Sequence, residues 1–254
     1  MLALVLDTSS AAVTAGLVEF SDRAESAHAA HAEPAVVAVV AERVTVDARA
    51  HAELLTPSIQ ACLAEAGVRI SDVSAVVAGL GPGPFTGLRV GLMTAAALAD
   101  ATGLPSYGVC SLDAIAAAHP ERPDLLVAGD ARRKEVYWAR YRHGRRLGEP
   151  AVTKPAALRA ELDGAHLDGA ELHGAEPDGA EPDGAALAMA GAGARLYADV
   201  LGYELLAADY PTVAGLAACA AGRVLGRAPG EVLVPLYLRR PDAVEPAARK
   251  PVTA

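Results

Sequence analysis

Two acidic residues, Asp7 and Asp130, stand in matching contexts and could do chemistry on a bound phosphate or metal ion. Each ends a short apolar segment, is followed by a turn of small or polar residues, and precedes a second strand-like segment. After the first acid, Thr8 and Ser9 could surround a phosphate with hydroxyl and backbone N–H groups while the carboxylate positions a metal or a water. The alternative is a structural turn, because Asp, Ser and Thr favour turns through local hydrogen bonds and a phosphate-wrapping turn would favour glycine at Ser9.

A second candidate site is the loop that precedes a helix predicted over 88–102. A helix N-terminus offers free N–H groups and a positive dipole end, so such a loop resembles a phosphate cradle. It lacks the Lys-Ser/Thr pair of a P-loop, and its glycine spacing is not G-x-G-x-x-G. Prolines alternate with the glycines, so a rigid, sharp loop is an equally good interpretation. The loop residues of interest are Gly81, Gly83, Phe85, Thr86 and Gly87.

His51 begins a helix predicted over 51–66, in which apolar residues recur at helical spacing and Gly67 supplies the C-cap. A metal-binding helix would carry a second histidine four residues further on, and Leu55 occupies that position. No Ser or Cys of the sequence lies in an activating context such as G-x-S-x-G. The pattern therefore predicts neither a metal site nor a nucleophilic triad.

The overall charge and the cysteines limit the class of protein. A net charge of −9 argues against sequence-independent binding of phosphate backbones along the whole surface. The three cysteines are widely spaced without a C-x-x-C pair, which favours a reducing cytoplasm. The first apolar run stops at Asp7, so we expect no signal peptide, and no apolar run reaches the roughly 20 residues of a membrane helix.

One basic cluster nevertheless surrounds the second acidic turn. It could meet an anion or an RNA-bound partner, and a solvated hairpin with long cationic side chains is an equally good interpretation. The cluster comprises Arg132, Arg133, Lys134, Arg140, Arg142, Arg145 and Arg146.

Strand, helix and hairpin patterns recur along the chain and predict an α/β fold. Strand material is predicted over 36–40, 42–46, 73–79 and 187–190, with a last helix over 213–225. Residues 24–33 read as a variable loop or frayed helix. Five pentads over 160–184 predict a flexible acidic insertion, and a short pentapeptide-repeat coil is the less favoured alternative.

Five motifs together resemble the TsaB family, also called YeaZ. They are Leu4–Ser9, His51–Pro57, Gly81–Gly91, Asp130–Tyr137 and Val234–Arg239. The resemblance implies a two-lobed actin/hexokinase/Hsp70-like (ASKHA) fold of class α/β, in which each lobe is a mixed β-sheet with flanking helices. It places the first lobe at 1–104. The second lobe spans 105–230, with its last helix packing back on the first lobe, and 231–254 forms an extended tail.

The resemblance also implies a function. TsaB is the dimerisation subunit of the bacterial machinery that makes threonylcarbamoyladenosine in tRNA. We therefore expect a cytoplasmic, non-catalytic subunit that binds TsaD and supports threonylcarbamoyl transfer to N6 of the adenosine 3′ of the anticodon in tRNAs reading ANN codons. TsaE and tRNA would be met through the complex, a homodimer would form in the absence of the partner, and no membrane is expected. No cofactor or metal is implied with certainty, and ATP or ADP would be bound through the complex.

Several site residues follow only from this resemblance. The catalytic relative TsaD has a His-x-x-x-His helix where this chain has His51 and Leu55, and Arg132 stands where an active member favours glycine. Gly191 and Gly193 resemble an adenosine-contacting turn, so the weak nucleotide candidates are Asp7, Thr8, Ser9, Asp130, Gly191 and Gly193. The two first-lobe helices would bundle with the partner's equivalents or would simply be internal. The implied partner residues are His51, Leu54, Leu55, Ile59, Cys62, Leu63, Arg89, Gly91, Leu92 and Ala95.

Two further functional classes stay open from the residues alone. A stand-alone nucleotide phosphohydrolase or kinase would use Asp7 and Asp130 across a two-lobed fold. A peptidase ranks last, because the sequence offers neither a nucleophile context nor a metal pair.

Overall fold

The structure, a computed structural model, describes residues 1–21, 36–168 and 186–239. The first half contains β1 Leu2–Asp7, β2 Ala12–Ser21, β3 Val36–Val46, α1 His51–Ala66, β4 Ala75–Gly79, α2 Phe85–Thr102, β5 Ser106–Val109 and α3 Ser111–Ala116. The second half contains β6 Asp124–Asp130, β7 Val136–Arg142, β8 Arg145–Thr153, α4 Pro155–Asp168, β9 Ala188–Ala190, α5 Ala192–Leu196, α6 Ala198–Leu201, β10 Glu204–Leu205 and α7 Val213–Leu225.

The two halves build sheets of the same topology. The first sheet has the order β3-β2-β1-β4-β5 and the second has the order β8-β7-β6-β9-β10. In each sheet the first three strands of the half are antiparallel neighbours, and the last two run parallel to the first. Strands β1 and β6 are thus equivalent, and they end in Asp7 and Asp130. The predicted fold class, two lobes with a mixed sheet each, is confirmed.

Helices cover both faces of each sheet, and the last helix of each half crosses to the other sheet. Along β1 the side chains alternate, so that Leu4 and Leu6 pack beneath α1 and α2, while Ala3 and Val5 pack against α7. Helix α3 joins the core of the second sheet, and α4, α5 and α6 cover its opposite face. Helices α3 and α7 contact each other where the lobes meet.

The crossing of α3 and α7 depends on a close backbone approach at Gly215. A Cβ atom at this position would overlap the Ala114 carbonyl, whereas a Cβ at Gly222, two turns along the same helix, would meet nothing within 4 Å. We expect Gly215→Ala to destabilise the protein by about 1–3 kcal/mol through overpacking. Gly222→Ala should stabilise it by about 0.5–1 kcal/mol, because alanine loses less backbone entropy in a helix. Urea unfolding of both variants tests this, and equal effects would contradict it.

Most predicted elements are confirmed, and the differences have physical reasons. Helices α1 and α7 have the predicted bounds, and α2 begins three residues early, at Phe85. The first pentads are not part of a flexible insertion: residues 160–168 continue α4, whose Leu158 and Leu162 are buried in the second core. The pentads from 169 onward and residues 24–33 lie outside the described residues. Strands β8 and β10 and helix α6 were not predicted, because they carry little apolar periodicity.

Two further features are the state of the cysteines and the length and apolar character of the helices. All three cysteines have free thiols; Cys62 and Cys110 are buried, and Cys219 is half-buried. Within the three described ranges, no helix combines the length and apolar character that crossing a bilayer requires.

Candidate functional site

Asp7 ends β1 beneath the turn to β2 and is enclosed by the protein. Its Oδ1 accepts hydrogen bonds from the Ser9 N–H and the Ser9 hydroxyl, both at 2.9 Å. Its Oδ2 accepts one from the hydroxyl of Ser111, the first residue of α3, at 2.5 Å. The residue is 1% exposed. The carboxylate therefore joins the first turn to the helix that enters the second lobe.

Burial raises the pKa of the Asp7 carboxyl above its ordinary value of 3.8, although the hydrogen bonds from Ser111 and Ser9 and the charge of His51 oppose this shift. Since the folded pKa exceeds the unfolded one, the folded state holds more protons between the two values, and this group makes stability fall as pH rises through that window. We expect Asp7→Asn to become progressively more stable relative to the unsubstituted protein as pH increases above about 4. Urea unfolding at a series of pH values measures this, and a difference independent of pH would contradict it.

Thr8 ties the same turn to the glycine-rich loop and to α2. Its hydroxyl donates to the Gly87 carbonyl at 2.7 Å and accepts from the Gly91 N–H at 2.8 Å. A Cβ at Gly91 would lie 2.5 Å from the Thr8 Oγ1, and one at Gly83 would overlap the Ser9 carbonyl. These glycines let the loop pack directly on the end of β1. Close packing therefore requires glycine at positions 83 and 91.

The remaining loop residues divide between core and surface. Gly81 is buried and exchanges hydrogen bonds with Ser111, accepting from its N–H at 2.7 Å and donating to its hydroxyl at 3.1 Å. Gly87 is buried as well, whereas Phe85 and Thr86 are exposed at the start of α2.

His51 has a structural partner. Its Nε2 lies 2.8 Å from the Ser10 carbonyl oxygen, so that this nitrogen carries the proton, and the ring is 8% exposed. Leu55, one turn along α1, is 1% exposed in the core beneath the helix. Among the described residues, no group of three or more His, Cys, Asp or Glu side chains could hold a metal ion.

Asp130, the acid of the second turn, is half-buried, whereas Asp7 is enclosed by the protein. The Oδ1 of Asp130 accepts a hydrogen bond from the Arg132 N–H at 2.8 Å, and the Arg132 Nη1 lies 3.6 Å from Oδ2. The two glycines after β9 serve packing: a Cβ at Gly193 would lie 2.5 Å from the Gly129 carbonyl oxygen, and one at Gly191 would overlap the Ala128 carbonyl. They bring the start of α5 against the end of β6.

A cavity of about 230 Å³ lies between the lobes. Its walls come from the β1–β2 turn, the glycine-rich loop, α3, the end of β6, and the segment before α7. Of the six nucleotide candidates, Ser9 and Asp130 line it, together with the polar residues Ser10, Ser111, Arg132, Tyr137, Asp209 and Tyr210.

The structure shows how far each predicted partner residue is exposed. Seven of the ten are buried in the folded chain: His51, Leu55, Ile59, Cys62, Gly91, Leu92 and Ala95. Leu54 and Leu63 are half-buried, and Arg89 is exposed. Among the exposed residues of α2, four form a row at four-residue spacing, here called the α2 stripe: Phe85, Arg89, Met93 and Ala97.

The C-terminal tail, residues 231–239, crosses from the first lobe to the second over the start of the α2 stripe. Tyr237 stacks on Phe85 with ring centroids 5.1 Å apart, and its hydroxyl accepts a hydrogen bond from the Arg89 Nε at 2.8 Å. The Arg89 guanidinium lies 3.8 Å from the Phe85 ring centre. Two residues further on, Arg239 donates to the Ala131 carbonyl at 3.2 Å. Residue spacing in the sequence predicted no role for Tyr237 or Ser111. Their hydrogen-bond partners, Arg89 and Asp7, lie more than 100 residues away along the chain.

The basic cluster does not form one surface. Arg140 is buried and paired with Asp124, its Nε donating at 2.8 Å, and Arg146 donates to both oxygens of Asp113 at 2.7 and 2.8 Å. Arg142 and Arg145 face each other at the far end of the β7–β8 pair. Arg132, Arg133 and Lys134 alone share the β6–β7 turn, and all three are exposed.

Comparison with known proteins gives the family. The sequence model described as "TsaD: tRNA N6-adenosine threonylcarbamoyltransferase" matches residues 38–166. An uncharacterized protein of Mycobacterium leprae is 44% identical over 253 residues, which are 100% of this chain and 57% of that protein, so the chain spans little more than half of its length. The tRNA threonylcarbamoyladenosine biosynthesis protein TsaB of Escherichia coli is 38% identical over 96 residues, covering 37% of this chain and 42% of TsaB.

A solved structure agrees with these sequence matches over nearly the whole chain. YeaZ from Pseudomonas aeruginosa superposes with a TM-score of 0.66 at 26% identity, covering 93% of this chain and 99% of that one. The family model spans half of the chain, and the two-lobed fold is that of YeaZ. The chain therefore belongs to the TsaD family and, within it, to the TsaB (YeaZ) proteins.

Proposed function

We propose that this chain is a non-catalytic subunit that binds TsaD and supports threonylcarbamoyl transfer to N6 of the adenosine 3′ of the anticodon in tRNAs reading ANN codons. The observation that carries the proposal is the enclosure of Asp7, whose carboxylate already accepts three hydrogen bonds from within the chain. A ligand or metal at Asp7 would have to break these bonds and open a residue that is 1% exposed. An active member of such a fold would present this acid to its ligand. Here the Asp7 carboxylate holds the chain's own turn and helix together instead.

The helix of His51 supports the same proposal. A catalytic metal pair would need a second ligand four residues further on, and that position is the core residue Leu55. The Nε2 of His51 is also occupied by the Ser10 carbonyl. Metal-dependent transfer would accordingly come from the partner, and this chain would act by binding it.

The α2 stripe is the surface that we assign to TsaD. Phe85 and Met93 are 39% and 65% exposed, and Arg89 lies between them. Aromatic side chains, Met and Arg are the residue types enriched in the cores of protein interfaces. Ala97 continues the row with a small side chain that permits close approach of a second helix. In the absence of the partner, the same face would support a homodimer, whereas TsaE and tRNA would be met in the complex.

Coexpression with the TsaD protein of the same genome tests this proposal. Size-exclusion chromatography should show a complex, and transfer of threonylcarbamoyl to an ANN-reading tRNA transcript, with TsaE and ATP present, should require both subunits. Failure of the two chains to coelute would overturn it. So would transfer that proceeds equally well when this chain is omitted.

The alternative, a stand-alone nucleotide phosphohydrolase or kinase, has weaker support. Its nucleotide would occupy the interlobe cavity, whose volume of about 230 Å³ is below the range of about 300–1,000 Å³ usual for small-molecule sites. Calorimetry with millimolar ATP and ADP separates the two functions. Binding to this chain in the absence of TsaD would favour the alternative.

A further inference from the structure

Arg89, on the exposed face of α2, is held in place by two aromatic residues. Its guanidinium carbon lies 3.8 Å from the centre of the Phe85 ring and 5.9 Å from the centre of the Tyr237 ring. Its Nε donates to the Tyr237 hydroxyl at 2.8 Å. Stacking on one ring and a hydrogen bond to the other residue fix the plane of the guanidinium and its rotation within that plane. The side chain is therefore ordered although it is exposed.

The tail holds Tyr237 from both sides. One residue earlier, the Leu236 N–H donates to the Leu80 carbonyl at 2.8 Å. Two residues later, Arg239 donates to the Ala131 carbonyl of the second lobe at 3.2 Å. Because the tail is anchored before and after Tyr237, the hydroxyl keeps its place beside the guanidinium before any partner binds. A side chain that is ordered in advance loses less rotamer freedom on binding.

The outer N–H groups of Arg89 have no acceptor in the part of the chain that the structure describes. Only its Nε makes a hydrogen bond, which leaves the N–H groups on Nη1 and Nη2. No carboxylate of the described residues pairs with Arg89 either, whereas Arg146 pairs with Asp113. An arginine fork of this kind matches a carboxylate or a phosphate bidentately.

The position of Arg89 on the α2 stripe indicates what the fork would meet. Met93 lies one turn further along the helix and is 65% exposed. A partner that covers Met93 would also cover Arg89, because residues four apart lie on the same face of a helix. A cation enclosed at an interface without an anion is strongly destabilising. The surface that accepts Met93 must therefore carry an acidic group next to its apolar contact.

We propose that Arg89, oriented by Phe85 and Tyr237, binds a carboxylate side chain of TsaD through Nη1 and Nη2. The inference rests on the proposed function for the identity of the partner. Tyr237 acts as a positioning residue, which gives the motif at 234–239 a role in binding. A phosphate would fit the same fork. A carboxylate is favoured because Met93 adjoins Arg89, and a phosphate backbone offers no apolar surface to cover it.

The test measures the affinity of four variants of the full chain for TsaD by calorimetry without tRNA. Arg89→Gln should bind at least about 30-fold more weakly, because it removes one partner of an enclosed charge pair. Arg89→Lys keeps the charge but not the fork, and should bind at least about tenfold more weakly. Tyr237→Phe keeps the ring on Phe85 and removes the acceptor of the Nε hydrogen bond, which should weaken binding about 3–10-fold. The matched control is Arg227→Gln, at an exposed arginine after α7, and it should bind as the unsubstituted chain does.

Two further measurements separate the ion pair and its positioning from a merely structural role. Between about 0.1 and 1 M KCl the Debye length falls from about 10 to 3 Å, so the affinity of the unsubstituted chain for TsaD should fall with salt. That fall should be smaller in Arg89→Gln and unchanged in Arg227→Gln. In the chain alone, the Arg89 Nε–H should give a resolved signal in a nitrogen–proton correlation spectrum, assigned by its loss in Arg89→Gln. The signal should broaden or vanish in Tyr237→Phe.

Four results would overturn the proposal. The first is an affinity that Arg89→Gln lowers no more than Arg227→Gln does. The second and third are Arg89→Lys or Tyr237→Phe binding as tightly as the unsubstituted chain. The fourth is a loss of affinity in Arg89→Gln that appears only when tRNA is present, which would assign the fork to a phosphate. If the unsubstituted chain does not bind TsaD, the proposed function fails, and the spectrum of the chain alone still shows whether the tail orients Arg89.

Discussion

Met93→Arg is expected to abolish stable binding to TsaD while leaving the free energy of unfolding within about 0.5 kcal/mol of the unsubstituted value. Met93 is 65% exposed at the centre of the α2 stripe, so the folded chain can hold an arginine there in water. In a complex the added charge would be buried without a partner, which costs about 2 kcal/mol or more and raises Kd at least about 30-fold. Size-exclusion chromatography with TsaD and urea unfolding measure the two effects.

Two controls make this result specific to the α2 stripe. Val200→Arg places the same charge on α6, at an apolar residue that is 45% exposed in the second lobe, and should leave the complex intact. Leu55→Arg should unfold the first lobe instead, because Leu55 is 1% exposed among the core residues beneath α1. Normal coelution of the Met93→Arg variant with TsaD would show that the partner uses another face.

Gly79→Ala is expected to destabilise the protein by about 3–5 kcal/mol, combining overpacking with loss of buried hydrogen bonds. A Cβ at Gly79 would overlap the Oδ2 of Asp7 and would lie 2.9 Å from the Ser111 Oγ. The carboxylate cannot move aside without breaking its three hydrogen bonds. The end of β4 would therefore separate from the turn on which the glycine-rich loop packs.

Gly164→Ala is the matched control for this prediction. Gly164 lies in α4, and a Cβ there would meet nothing within 4 Å. Alanine should stabilise that helix by about 0.5–1 kcal/mol. Chemical unfolding of both variants, read by circular dichroism, distinguishes the two sites. A loss below about 1 kcal/mol in Gly79→Ala would show that Asp7 is not held as tightly as its hydrogen bonds indicate.

Local patterns predicted much of the fold. Helix α1 could be predicted from its apolar spacing and from the glycine after its last residue, and α7 from its long apolar run. The matching contexts of Asp7 and Asp130 indicated a duplication, which extends to the order and direction of all ten strands in the described ranges. Strand β10, with two residues, has too few positions for any periodicity.

The candidate site was harder to predict, because the same residue types serve packing and function. Gly81, Gly83 and Gly87 indicated a phosphate cradle, yet the loop approaches the end of β1 so closely that no side chain fits at Gly83. Leu55 and Met93 are both apolar residues of first-lobe helices, and helical spacing alone cannot say which faces water. The exposed position of Met93 follows from how α2 lies on the sheet.

The sequence by itself determined the family, the two-lobed α/β class and the absence of a paired histidine in α1, since these depend on local residue order. Only the tertiary structure decided what Asp7 does, because its third hydrogen-bond donor, Ser111, comes from a helix that begins 104 residues later. It also placed Arg140 and Arg146 in ion pairs with Asp124 and Asp113 and brought Tyr237 onto Arg89. Exposure, charge pairing and burial arise from contacts between distant segments, so they become defined only when the chain packs.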